Sequence, residues 1–253
     1  MPLLEVKNMT KRFGGLIAVH TLDFEINEGE ILGLIGPNGA GKTTVFNMIT
    51  GTFRPTHGEI VFFSKKIDRL KPNKIAELGA VRTFQLTNLF GEMTAIQNVI
   101  LGTHQKSGIR LWGSLFKTHS TRIKETNSEE EARDILEFMG LTEQQETFAR
   151  NLPHGQQRRL EVSIALAAKP KLLLLDEPLQ GMSHEEVKDM VGRIAKIRQK
   201  GKTILLVEHN MRAVTSICDR VIVLNFGEKI AEGSPQEVMQ NPEVIEAYLG
   251  VEE

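Results

Sequence analysis

The strongest constraint on this chain is an apolar run, Ile31 to Ile35, that breaks into Gly36-Pro37-Asn38-Gly39-Ala40-Gly41-Lys42-Thr43-Thr44 and resumes as Val45, Phe46, Met48 and Ile49 at helical spacing. A buried strand, a glycine-rich turn and a helix in that order fit G-x-x-x-x-G-K-[ST], the phosphate-cradling P-loop. The residue types follow from the chemistry. Triphosphate oxygens are met by backbone N–H groups, and a side chain at a turning position would block that approach, hence glycine at 36, 39 and 41. The helix aims its positive end at the phosphates. Lys42 supplies a point charge for the terminal phosphates and Thr43 a hydroxyl for Mg²⁺.

The rest of the chain alternates strands with helices. Leu4, Val6 and Met9 open a strand-like segment, Leu22, Phe24 and Ile26 alternate with Asp23 and Glu25, and Gly58 to Phe63 reads as another strand. Such alternation predicts an antiparallel sheet beside a parallel one. Pro72 to Leu78 is expected to be a short helix and Ala80 to Phe84 a strand ending at Gln85. A helical pattern runs from Thr87 to Leu101, followed by a less regular stretch to Thr126. Ser128 with Glu131 reads as a capping box before Ala132, Ile135, Leu136 and Met139. Lys171 to Leu175 is nearly all leucine and ends in Asp176-Glu177, the profile of a central parallel strand, and Thr203 to Val207 ends at Glu208-His209. A hairpin is expected around Asn225-Phe226-Gly227, and two short helices in the tail. The predicted architecture is a single α/β domain: a P-loop NTPase core with a mainly parallel sheet and an antiparallel β subdomain, residues 1–85 and 166–253, and an inserted helical subdomain over 86–165.

Parallel strands place their carboxyl ends at the ligand crevice. Alone, a glutamine or histidine after a strand is a solvated turn residue; three such strand ends in a P-loop chain read differently. Asp176 is placed to support Mg²⁺ and Glu177 to polarise the attacking water. His209 would hold the γ-phosphate and the water. Gln85 carries a neutral amide suited to sensing Mg²⁺ or the water without adding charge. Asn73-Lys74 begins the guanine-reading N-K-x-D, but Ala76 stands where aspartate is required, which argues against GTP.

Charge and composition narrow the setting. A formal net charge of −1 gives no electrostatic footprint for nucleic acid. The lone Cys218 rules out an internal disulfide and fits a reducing compartment. No apolar run reaches membrane-spanning length, and Met1 to Thr10 lacks the layout of a signal peptide, so a cytoplasmic protein is expected.

The ordered set Phe13, Gly36–Thr44, Gln85, Leu152–Gln156, Asp176-Glu177 and His209 resembles the ATPase subunit of an ABC transporter over essentially the whole chain. The resemblance implies that Phe13 stacks on adenine, that Gln85 is the Q-loop and His209 the switch histidine. It also implies that ATP is sandwiched between two such subunits, with Gly155 and Gln156 of one closing on the P-loop of the other. The family's Leu-Ser-Gly-Gly-Gln signature reads Leu152-Pro153-His154-Gly155-Gln156 here, and Ser183 holds the usual position of the D-loop aspartate. Pro153 offers neither a hydroxyl nor an N–H.

A narrower resemblance rests on Arg82-Thr83-Phe84-Gln85, on Pro153 to Glu161, and on the tail from Gly233-Ser234-Pro235 to Leu249-Gly250. These are similar to the ATPases of branched-chain amino-acid importers, and the proline-containing signature is a variant of that group. It implies ATP and Mg²⁺ as cofactors, transmembrane permease subunits and a second ATPase subunit, of the same or a different chain, as partners, and a place on the inner face of the plasma membrane. A permease is expected to dock between Leu86 and Leu101. A soluble ABC-type ATPase uncoupled from transport is the alternative; tandem nucleotide domains, long coiled coils or basic arms, usual in that class, are not visible. Leu111, Trp112, Leu115 and Phe116 share one helical face and read as packing on the helical lobe rather than on a membrane.

Overall fold

A computed structural model describes residues 2–83, 89–104 and 119–249. Two sheets share the core. The first is antiparallel, in the order β2-β1-β4-β5, from β1 (Leu4–Phe13), β2 (Leu16–Ile26), β4 (His57–Phe62) and β5 (Lys65–Lys66). The second has six strands in the order β10-β9-β3-β8-β7-β6, from β3 (Ile31–Ile35), β6 (Ala80–Arg82), β7 (Leu172–Asp176), β8 (Thr203–Val207), β9 (Arg220–Asn225) and β10 (Glu228–Gly233). All its neighbours pair in parallel except β10, which turns back on β9.

The apolar runs become central strands because both faces of this sheet are covered. Leu32, Leu34, Leu172, Leu174, Leu205 and Val207 point to one side, packing with α1 (Lys42–Ile49) and the antiparallel sheet. Ile31, Ile35, Leu173, Leu175, Ile204 and Leu206 point to the other. There they meet α5 (His154–Ala167), α6 (His184–Gln199) and α7 (Met211–Ile217), with α8 (Pro235–Met239) and α9 (Pro242–Leu249) at the margin. A third cluster, built on Ala95, Val99, Leu136, Leu160 and Ile164, joins α3 (Ala95–His104), α4 (His119–Phe138) and α5. These helical segments are inserted between β6 and β7. The short α2 (Pro72–Leu78) precedes β6.

Two local expectations are corrected. The helix expected from Thr87 begins at Ala95, residues 91–94 forming a turn in which Asn98 Nδ2 donates to Met93 O and Thr94 O. Ser128 and Glu131 cap nothing: α4 already runs from His119. Between 119 and 131 no glycine or proline interrupts the chain, and Arg122, Lys124, Glu125, Glu129, Glu130 and Glu131 are good helix formers, so the local S-x-x-E pattern is overridden. Among the described residues the reciprocal capping bonds are made by Ser183 with Glu186, by Ser234 with Glu237, and by Thr94 with Gln97 ahead of α3. Phe84, Gln85 and the expected docking residues 86–88 lie outside the described residues, as does the 105–118 segment with Trp112.

Candidate nucleotide site

Because β9, β3, β8, β7 and β6 run the same way, their carboxyl ends lie on one edge, and that edge carries the P-loop, Glu208-His209, Asp176-Glu177 and Arg82-Thr83. The P-loop is held from behind. Gly36 has φ 145°, and a side chain there would run into the Leu224 carbonyl; Gly41, with φ 103°, would put one 2.6 Å from the Ala18 carbonyl oxygen. The β9–β10 turn closes the loop, Gly227 N–H donating to Ala40 O at 3.0 Å. Pro37 and Ala40 are buried, whereas Asn38, Gly39 and Thr43 are exposed and Thr44 is half-buried.

Lys42 is buried, and its Nζ donates to Gly36 O (2.6 Å) and Pro37 O (2.8 Å). Burial pulls its pKa down, opposed by attraction to Glu177 and Asp176. The ammonium is thus parked on loop carbonyls within the field of both carboxylates. Glu177 sits at φ 49°, a left-handed conformation that side chains other than glycine seldom adopt, and its Oε1 is 3.0 Å from His209 Nε2. A strained residue at the point where a base is needed is a functional signature.

Residues that sequence reading passed over complete the edge. Arg82 donates from Nη2 to Asp176 Oδ2 (2.5 Å) and from Nη1 to Asn47 Oδ1 on α1 (2.7 Å). Glu208 is buried and accepts from Leu179 N–H (2.8 Å) and His209 N–H (3.1 Å), which fixes the loop after Glu177 against the histidine. Desolvation pushes its carboxyl up, against those donors. Burial lifts the Tyr248 phenol on α9 to about 12, opposed by the Gly36 backbone N–H nearby, so the tail lies against the P-loop. Each carried a signal: a charge at the end of a short buried strand, a carboxylate closing an apolar one, and the chain's only tyrosine.

Phe13 ends β1, 41% exposed, edge-on to Phe53 with centroids 5.3 Å apart and with Lys11 Nζ 5.0 Å from its centroid. Gly155 and Gln156 lie in the first turn of α5, beside α6. A Cβ on Gly155 would meet the Glu186 carboxylate, and His154 packs on Gly181. Deeper in α5, Arg158 bonds Glu161 (3.1 Å) and Gln180 (2.8 Å), and burial lifts the Glu161 carboxyl to about 7 against that pairing.

A preorganised phosphate loop with a buried lysine, facing a carboxylate–histidine pair at the ends of parallel strands, defines a P-loop nucleotide hydrolase. Residues 19–180 match the family described as ABC transporter, and residues 228–253 match the one described as branched-chain amino acid ATP-binding cassette transporter. The chain is 44% identical over 250 residues to the high-affinity branched-chain amino acid transport ATP-binding protein BraF of Pseudomonas aeruginosa, covering 98% of each. The ADP conformation of MJ1267, an ATP-binding cassette of an ABC transporter, superposes with a TM-score of 0.86 at 32% identity, over 99% of both chains. The dimeric post-hydrolysis state of the cassette MJ0796, bound to ADP and Pi, gives 0.78 at 26% identity over 92% of this chain and 98% of that one. The chain belongs to the ABC transporter family, as an ATP-binding and ATP-hydrolysing subunit. Among the described residues no helix is long and apolar enough to cross a membrane.

Proposed function

We propose that this subunit hydrolyses ATP to drive import of branched-chain amino acids, seated on a pair of permeases at the inner face of the membrane and paired with a second ATPase subunit. The observation that carries the hydrolytic part is the Glu177–His209 contact of 3.0 Å at the P-loop edge. Likeness to BraF and the match of the tail support the cargo. The dimeric MJ0796 supports the pairing. A core of 1–85 and 166–253 with a lobe of 86–165 accounts for the separate helical cluster.

Gly36 to Thr44 would wrap the phosphates with backbone N–H groups, and Lys42 would exchange its carbonyl partners for phosphate oxygens. Phe13 would receive the adenine. Glu177 would take a proton from the attacking water at a carboxylate oxygen, and His209, held against Glu177, would keep that water in line. Gly155 and Gln156 would close on the nucleotide of the partner subunit, and Gln85 would relay occupancy to the lobe.

The exposed Thr43 hydroxyl and the Asp176 carboxylate are hard oxygen donors that suit Mg²⁺, with Gln85 as a third contact. Among the described residues no group of three or more His, Cys, Asp or Glu could hold a metal alone, so nucleotide oxygens would complete the set. When bound there, Mg²⁺ supplies charge neutralisation for the terminal phosphates.

Reconstitution with its permeases and binding protein in liposomes tests the proposal. Leucine, isoleucine or valine on the binding protein should raise ATP turnover and drive uptake. Stimulation by an unrelated solute, and by none of these three, rejects the cargo. Turnover with no permease dependence favours the uncoupled ATPase.

A further inference from the structure

Arg82 carries a charge at the nucleotide edge that the proposed hydrolysis leaves without a task. It ends β6, in parallel register with Leu174 of β7, and Asp176 lies two residues beyond that partner. Its guanidinium is held on three sides. Nη2 meets Asp176 Oδ2 at 2.5 Å, Nη1 meets Asn47 Oδ1 at 2.7 Å, and the group lies 5.6 Å from the Phe46 ring centroid. Both ionic side chains are largely covered, 18% exposed for Arg82 and 9% for Asp176. Asn47 follows Thr43 by four residues on α1, so the arginine is braced on the helix face that presents the Thr43 hydroxyl. Thr83, the next residue, accepts the Asp176 N–H at its hydroxyl (3.4 Å). Two consecutive residues, the last of β6 and the one after it, therefore hold both the carboxylate and the backbone of Asp176.

We propose that Arg82 is a positioning residue that serves as a resident cation for Asp176: it neutralises and orients the carboxylate while no divalent ion is there, and so makes metal binding wait for nucleotide. The inference rests on the reading of Asp176 as a metal-site carboxylate. The physical argument is one of competition. A half-buried carboxylate with no cation beside it would recruit one, and Glu177 next to it would add to the pull. A planar fork anchored at its other nitrogen on Asn47 is held in place on Oδ2. Nucleotide brings enough further oxygen ligands to bind the metal with the arginine still in place.

The test uses the full chain, freed of nucleotide and titrated with Mn²⁺, with the free ion read by electron paramagnetic resonance. Wild type should bind Mn²⁺ weakly without nucleotide and more tightly with ADP. Arg82→Met should bind nucleotide-free Mn²⁺ at least about tenfold more tightly than wild type, given what a unit charge at ion-pair distance is worth even at an effective dielectric of about 20. Arg82→Lys should stay near wild type in this measurement, because the charge remains. The gain should vanish when Asp176→Asn is added to Arg82→Met. An Arg82→Met protein that binds Mn²⁺ no better than wild type overturns the proposal, as does a gain that survives Asp176→Asn or an Arg82→Lys protein as tight as Arg82→Met. If wild type with ADP binds no Mn²⁺, the metal reading itself fails, a result separate from these. Should Arg82→Met not fold, the guanidinium resonance of Arg82 in wild type decides: it should shift when Mg²⁺ joins ADP and stay put with ADP alone. A resonance that ignores the metal overturns the proposal.

Discussion

The P-loop and the signature segment are both loop-to-helix junctions, α1 beginning after Gly41 and α5 after Pro153, and their polar atoms are treated oppositely. At the P-loop the groups find partners in the loop and its neighbours: Lys42 on two carbonyls, Ala40 O on Gly227, Asn47 on Arg82. In α5 the reverse holds. Of five buried side-chain polar atoms without a protein partner among the described residues, four are on Gln156, Arg158, Arg159 and Glu161. The first junction is organised by backbone and would need only the Lys42 ammonium to change partners on receiving a ligand. The second is organised by ionic side chains that only partly satisfy one another, and Pro153 as N-cap adds no side-chain bond. Its departures from the family pattern are nevertheless anchored: Gln157 Nε2 donates to Leu152 O at 2.9 Å, and Ser183 caps α6. A self-sufficient half-site and a dependent one are expected to fail in different ways.

The largest effect should come from the self-sufficient side. Glu177→Gln keeps the shape and loses the base, and turnover should fall about 10²–10⁴-fold with ATP binding retained. Single-turnover hydrolysis beside a nucleotide titration checks both halves; an unchanged rate would remove Glu177 from its role. Lys42→Ala deletes a buried charge that we propose binds the phosphates, and should cost roughly 10²–10³-fold. Here ATP affinity should fall too, in the isolated chain, because this half-site needs no partner. Hydrolysis at the normal rate would mean that the phosphate assignment is wrong.

Gly155→Ala probes the dependent side. The new methyl meets the Glu186 carboxylate, which the Ser183 N–H holds in place, so either that capping bond or the first turn of α5 must give. Turnover of the assembled transporter should drop roughly ten- to a hundredfold, the usual cost of a displacement near 1 Å. ATP affinity of the isolated chain should not change. Trimming the opposing side chain with Glu186→Ala should return part of the loss. Equal damage to both measurements would erase the distinction between the two junctions.

How legible each junction was follows from the same contrast. The P-loop, the leucine strand and the strand ends at Asp176 and His209 were readable because backbone geometry and burial leave them little chemical choice: glycine where φ is positive, leucine where both faces are covered. The α/β class and the helical insertion followed from that alternation. Arg82 and Glu208 were missed because their meaning lies in pairings across the sheet, Arg82 with Asn47 and Asp176, Glu208 with Leu179, that no local pattern announces. The one capping box read from the sequence, Ser128 with Glu131, was misplaced for the opposite reason. S-x-x-E is local, and whether it caps depends on whether the preceding residues are already helical, as they are before Ser128 and are not before Ser183.

The smallest expected effect sharpens the contrast most, since it reads the ionic α5 cluster alone. Burial raises the Glu161 carboxyl from 4.5 to about 7 against the pull of Arg158, so the folded chain holds that proton more tightly than the unfolded one. The sign follows from linkage: stability from this group is fully present below pH 4.5 and is lost as pH rises through about 7. The shift bounds the loss at ~3 kcal/mol, less whatever relaxation around Arg158 recovers. Glu208 shifts in the same direction and Glu59, Glu186 and Glu237 in the other, but all are shared with Glu161→Gln and cancel in the difference. Urea unfolding of both proteins at several pH values from about 5 to 8 should therefore show wild type losing ground to Glu161→Gln across that range. The offset between them also carries the cost of leaving Arg158 with Gln180 as its remaining partner, so the slope, not the offset, is diagnostic. Parallel curves would mean that Glu161 is ionised at low cost in the fold, and that the signature helix is as well compensated as the P-loop.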